Sequence, residues 1–308
     1  NISLILILCL LLGACKNGNA SSQNKSETSQ DTIKAIKMPA IPQMMTAPEQ
    51  RADFLAKHYW DNVNFADTNY IHHPEVTEQA WADYCDLLNH VPLETAQQAM
   101  RNVIDRTNVD KKVFTYITDL ADKYLYDPNS PMRNEEFYIP VLEAMIASPV
   151  LNETEKIRPQ ARLKLAQKNR IGTKALNFTY TLASGAQGSL YQLKAEYLLL
   201  FINNPGCQAC TETIEGLKNA PIINQLLQEK KLVLLSIYPD EELDEWKKHL
   251  SEFPNEWING YDKKFTIKEE QVYDLKAIPT LYLLDKDKTV LLKDATAPAI
   301  EAYLMQHQ

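Results

Sequence analysis

Glycine is scarce in this chain, with 8 in 308 residues. Loops that cradle phosphates are built from clustered glycines, and neither a G-x-G-x-x-G fingerprint nor a G-x-x-x-x-G-K-[ST] loop occurs. Dinucleotide- and nucleotide-binding sites of those kinds are thereby excluded. Positive charge is also in short supply: 32 Lys and Arg face 40 Asp and Glu, for a net charge of −8. No basic stripe appears, which argues against nucleic acid as a partner. Cysteine is rare, at Cys9, Cys15, Cys85, Cys207 and Cys210. A structural zinc site needs a second C-x-x-C or a histidine pair, and His249, the nearest histidine to Cys207 and Cys210, stands alone. No metal and no cofactor beyond a dithiol is expected.

What the chain does have is Cys207-Gln208-Ala209-Cys210, directly after the apolar run Tyr197-Leu198-Leu199-Leu200-Phe201. Two thiols at this spacing, where a strand gives way to a helix, can face each other within one turn. The unpaired N–H groups of a helix N-terminus favour a thiolate, which makes Cys207 the candidate nucleophile and Cys210 its resolving partner. A peroxidatic cysteine would need a P-x-x-x-[TS]-x-x-C frame, but Leu200 and Asn204 stand at the required offsets.

The apolar run Ile2 to Leu12 is too short to span a bilayer as a stable helix and suits the core of a signal peptide. It leads into Leu12-Gly13-Ala14-Cys15, which resembles a lipobox, with Cys15 as the acylated first residue of the mature chain and Cys9 lost with the signal. The expected location is the cell envelope: an exported, membrane-anchored lipoprotein on the periplasmic face of the outer or inner membrane. Disulfides are permitted there. Residues 16–47, rich in Ser, Asn, Lys and Gln, read as a disordered tether.

Residues 48–170 read as an all-α domain of about six helices. Phe54, Leu55, Tyr59 and Val63 recur at helical spacing, as do Val113, Ile117, Leu120 and Tyr124. Breaks are expected near Pro74, Pro92, Asn108 to Asp110, Pro128 to Pro131 and Pro149, and Asn152 with the acidic Glu153 and Glu155 caps a last helix to about Asn169. Cys85, on the pattern Trp81-Tyr84-Cys85-Leu88, reads as a buried structural thiol. His72-His73 beside Glu75 reads as a solvated loop rather than a metal site, since neighbours in one segment rarely converge on one ion.

From Ile171 the pattern changes. Phe178 to Leu182 alternates like a strand, and Ser184 to Gly188 reads as a turn. Strand Tyr197–Ile202, a helix over 207–219, a helical segment from Pro221 to about Gln228, strand Leu232–Tyr238 and a helix around Glu242–Leu250 follow. Leu281–Leu284 and Val290–Leu292 flank a hairpin at Asp285 to Lys288, and a helix from Pro298 closes the chain near Gln306. Such an order implies a mixed sheet with helices on both faces. Ile278-Pro279-Thr280 just precedes a strand, where a proline needs an edge, a strand start or a cis bond.

These features together resemble the bacterial envelope thioredoxin-like proteins of the TlpA/ResA type, over residues 171–308. The shared residues are Asn177-Phe178-Thr179-Tyr180, Tyr197–Phe201 with its C-x-x-C, and Ile278-Pro279-Thr280 before Tyr282-Leu283-Leu284-Asp285. Residues 48–170 resemble, without a motif, the helical domain that precedes such modules in some envelope lipoproteins. The resemblance implies a thioredoxin fold C-terminal to a separate all-α domain, with a cis-Pro279 packed against the C-x-x-C. It also implies that Cys207 attacks, Cys210 resolves, and Ile278 and Pro279 hold the substrate strand. The implied partners are cysteine-containing envelope proteins and a redox partner, with the membrane reached through the lipid. The chain departs from the family at Gly206, where a Trp is usual, and at Phe201 and Thr213, where a buried acid would aid proton transfer. Glu212 and Glu215 read as solvated helix-face residues. The rival expectation is a non-catalytic binding module with a structural disulfide, its recognition carried by the helical domain.

Overall fold

Prolines and side-chain caps mark where the helices of the N-terminal half begin, in a computed structural model that describes residues 35–307. The apolar run, Cys9, Cys15 and most of the expected tether lie outside the described residues. Six α-helices follow: α1 Pro48–His58, α2 Pro74–Leu88, α3 Leu93–Arg106, α4 Lys111–Ala121, α5 Glu135–Ala147 and α6 Glu153–Ala166. Pro48 and Pro74 sit in first turns, where their missing N–H would have no partner. Asp110 accepts from the N–H groups of Lys112 and Val113, and Asn152 and Glu155 form a reciprocal capping box. Pro140 lies inside α5 and frees the Glu136 carbonyl from its helical donor. Gln97 Nε2, from α3, donates to that carbonyl at 3.0 Å, so the helix continues through its proline.

The core of this half is aromatic. Trp60, Trp81 and Tyr84 lie with ring centroids 5.6 to 6.1 Å apart, and Tyr59 is 5.1 Å from Tyr84. Cys85 is buried beside them, where desolvation pushes its thiol well up from the ordinary range. The last residues of the expected tether are packed chain: Ile36 lies against this core and Asn62 donates to the Lys37 carbonyl at 2.9 Å.

The C-terminal half is a seven-stranded mixed sheet in the order β2-β1-β5-β4-β3-β6-β7. Its strands are β1 Thr179–Leu182, β2 Gln187–Ser189, β3 Tyr197–Ile202, β4 Leu232–Tyr238, β5 Ile258–Tyr261, β6 Thr280–Asp285 and β7 Val290–Lys293. Its helices are α7 Gln208–Lys218, α8 Pro221–Gln228, α9 Leu243–Lys248, α10 Thr266–Glu269 and α11 Ala297–Gln306. Alternation along β3 divides the core. Leu199 and Phe201 pack towards Ile214, Ile223 and Ile300 of α7, α8 and α11. Leu198, Leu200 and Ile202 pack towards Phe178, Ile267 and Tyr273 on the opposite face.

The fold is the thioredoxin-like one expected, and the hairpin at Asp285 to Lys288 is present as β6 and β7. Three short elements differ from the sequence reading. β2 occupies the end of the expected turn, while β5 and α10 had no signal. The segment Ile258-Asn259-Gly260-Tyr261 has no period-2 pattern, yet it pairs in parallel with β4 and antiparallel with β1. Its glycine is required by contact: a Cβ at Gly260 would lie 2.9 Å from the Tyr180 ring and 3.3 Å from the Thr181 carbonyl.

Candidate redox site

Strand register brings the two halves of the candidate site together. β3 and β6 are antiparallel neighbours, with Ile202 opposite Thr280. The chain leaving β3 therefore begins its turn beside the chain entering β6. Cys207 follows the first and Ile278-Pro279 precedes the second, so residues far apart in sequence meet at one end of the sheet. The Ile278-Pro279 peptide is cis. Cys207 Sγ lies 3.8 Å from the Ile278 carbonyl oxygen, within reach of a weak S–H donor.

The approach to the cysteines is a turn built from small and polar residues. Asn203, fully inside, donates from Nδ2 to Ser236 Oγ at 2.8 Å, and its backbone N–H donates to the Ile237 carbonyl at 3.0 Å. Gly206 has φ +70, a left-handed conformation that favours glycine over any side chain. Cys207 then caps α7: its Sγ accepts from the Cys210 N–H at 3.3 Å. The Cys207 sulfur thus lies at the positive end of the helix with a backbone donor aimed at it.

The two thiols are unequal. Cys207 is half-buried and Cys210 is 2% exposed. Burial pushes the Cys210 thiol up to about 12, and the neighbouring Cys207 adds to the rise, while the Asn204 backbone N–H pulls the other way. Among the described residues no carboxylate hydrogen-bonds to Cys210. Phe201 is fully buried and apolar, and Thr213 Oγ1 turns back to the Ala209 carbonyl at 2.8 Å. Glu212 accepts from Gln208 at 2.9 Å and Glu215 pairs with Lys218 at 2.8 Å, both on the exposed face of α7.

Sequence reasoning missed the residues around the turn. Asn204 Nδ2 donates to Asp240 Oδ2 at 3.0 Å, and Asp240 pairs with Lys268 at 2.9 Å, at a cleft of about 370 Å³ next to Pro205. The run Asn203-Asn204-Pro205-Gly206 is a turn signal that could have marked this loop. Elsewhere, His73 Nδ1 lies 3.0 Å from Glu75 Oε1 at the start of α2, in the helical half. No group of three or more His, Cys, Asp or Glu among the described residues could hold a metal ion. Among the same residues no helix is long and apolar enough to cross a membrane. Cys15 lies outside them.

Residues 14–169 match a family described as a domain of unknown function, DUF5106, and residues 195–290 match a family described as thioredoxin-like. A thioredoxin-like protein from Bacteroides caccae, solved as a crystal structure, is 84% identical over 90% of this chain and 100% of its own, with a TM-score of 0.88. The C-terminal domain of an uncharacterized protein from Bacteroides fragilis is 69% identical over 44% of this chain and 98% of its own, with a TM-score of 0.44. The thioredoxin domain of a thiol-disulfide oxidoreductase from Bacteroides vulgatus is 20% identical over 45% of this chain and 97% of its own, with a TM-score of 0.41. No curated protein matches the chain.

Proposed function

This chain belongs to the DUF5106 family and carries a thioredoxin-like domain in its C-terminal half; from that premise we propose that it works as a thiol–disulfide oxidoreductase on protein cysteines. The observation that carries the reading is the pairing of a half-buried Cys207 Sγ, at the N-terminus of α7, with the Ile278 carbonyl 3.8 Å away beside Pro279. A dithiol in a merely structural role has no need of a half-buried cysteine beside a backbone carbonyl whose contact with that sulfur is given up when the thiolate forms.

In the reductive direction the Cys207 thiolate attacks one sulfur of a substrate disulfide. A mixed disulfide forms, and the displaced substrate sulfur leaves as a thiolate and takes a proton from water. Ile278 offers its backbone carbonyl to the substrate strand, and Pro279 shapes the surface on which that strand lies. Cys210 then loses its proton to water and attacks Cys207 Sγ. The second substrate sulfur is released as a thiolate and takes a proton from water, and Cys207 and Cys210 are left as a disulfide. Counting the proton that Cys207 gave to water on ionising, two electrons and two protons have passed to the substrate, and the reverse sequence oxidises a substrate dithiol.

The working location we propose is the cell envelope, with the chain tethered through Cys15 and with cysteine-containing envelope proteins as substrates. Support comes from the sequence Leu12-Gly13-Ala14-Cys15 and the apolar run before it. Replacing the resolving thiol tests the chemistry. Cys210→Ala is expected to accumulate mixed disulfides through Cys207 in envelope extracts, visible as adducts that vanish with reductant and are absent from the Cys207→Ala, Cys210→Ala double variant. An empty trap would overturn the enzyme reading.

A further inference from the structure

Residues 270–279, between α10 and β6, carry no helix or strand, yet they include both Ile278 and Pro279. A segment without its own ladder must be held by something else. Val272 and Tyr273 anchor its first half in the core under β3, and the helical domain holds its backbone and its charged side chains. Lys168 Nζ donates to the carbonyls of Glu270 at 3.0 Å and Gln271 at 2.7 Å, and Asn169 Nδ2 donates to that of Val272 at 2.8 Å. Further along, Glu135 at the start of α5 reaches Lys276 Nζ at 3.3 Å and also pairs with Lys293 of β7.

Lys276 is the hub of a buried network. It pairs with Asp274 at 2.8 Å and Asp294 at 3.5 Å, and Asp294 accepts from Thr280 Oγ1 at 2.8 Å. Arg133 donates to the Asp294 backbone carbonyl at 2.9 Å, and Lys293 to that of Lys168 at 2.8 Å. The charged side chains are almost enclosed, with Lys276 and Asp294 each 11% exposed and Glu135 12%. A buried charge is tolerated only with its partners in place, so a shift of either domain would strand one. The network also ends on Lys276 and Thr280, which lie on either side of Ile278-Pro279.

We propose that the helical domain is the splint that holds the substrate-binding loop in register with Cys207, and that Glu135 is its positioning residue. Neither Glu135 nor Lys168 touches a reacting atom; both act through the loop. The proposal rests on the reading of Ile278-Pro279 as the place where a substrate strand lies.

The test uses the full chain, with a peptide holding one internal disulfide as the probe. Glu135→Gln is expected to raise KM for the peptide about tenfold, as a slightly misplaced docking surface does, with kcat changed less than about twofold. Alkylation of Cys207 by iodoacetamide, which needs no docking surface, is expected to keep its rate. Amide hydrogen exchange over residues 276–281 is expected to quicken at least about tenfold, with that of β3 unchanged. A folded Glu135→Gln protein with the KM and exchange of the parent would overturn the proposal. If that variant does not fold, Lys168→Met decides instead: faster exchange over 270–280 supports the splint, and unchanged exchange overturns it. If the parent protein itself leaves the peptide disulfide intact, the oxidoreductase reading falls, and exchange alone decides the proposal.

Discussion

At the scale of single residues, the proposed chemistry turns on the difference between Cys207 and Cys210. Cys207 accepts the Cys210 N–H and caps a helix, while Cys210 is buried with its thiol held up to about 12. Burial, the largest cause, persists when Cys207 is tied up in a mixed disulfide. The sign follows directly: below about pH 12 the Cys210 thiolate is the minor form, and it grows about tenfold with each pH unit. Release of product from the mixed disulfide, followed by stopped flow, is therefore expected to speed up close to tenfold per unit between pH 7 and pH 9. A plateau below pH 8 would contradict this and reveal a proton acceptor acting on Cys210. The neutral residues Phe201 and Thr213, at the two places where the resemblance implied an acid, were legible in the sequence. The left-handed backbone at Gly206 was not legible. A lone glycine beside a proline marks a turn but leaves φ open.

At the scale of elements, strands with a strong apolar pattern could be read and those held by contact could not. β3, β4 and β6 are apolar runs, and their order around the C-x-x-C gave the fold. β5 carries Asn and Gly in its middle and is a strand because β4 and β1 supply its partners on both sides. Two glycine substitutions separate these causes. Gly260→Ala places a methyl group against Tyr180 and the Thr181 carbonyl, and is expected to destabilise the protein by about 1–3 kcal/mol through overpacking. Gly216→Ala lies in α7, where the nearest atom to the new Cβ is Ala297 Cβ at an ordinary 3.8 Å. There the gain in helix propensity is expected to stabilise the protein by about 0.5–1 kcal/mol. Urea unfolding of the two variants checks the opposite signs.

At the scale of the whole molecule, the division into a helical half and a thioredoxin-like half was legible from the loss of helical spacing after Arg170. How the halves are joined was not. Glu135, Lys276 and Asp294 belong to segments far apart in the chain, and each reads alone as an ordinary surface charge. Only the tertiary structure makes them one enclosed network beside Pro279. In the function proposed for this assembly, Cys207 and Cys210 are a working redox couple. Titration of the full chain in thiol–disulfide buffers, followed by mass shift on alkylation, tests it most directly. A two-electron midpoint between about −120 and −270 mV, the span of working pairs on this fold, is expected. A midpoint below about −300 mV, the range of disulfides that resist reduction and serve structure, would contradict it.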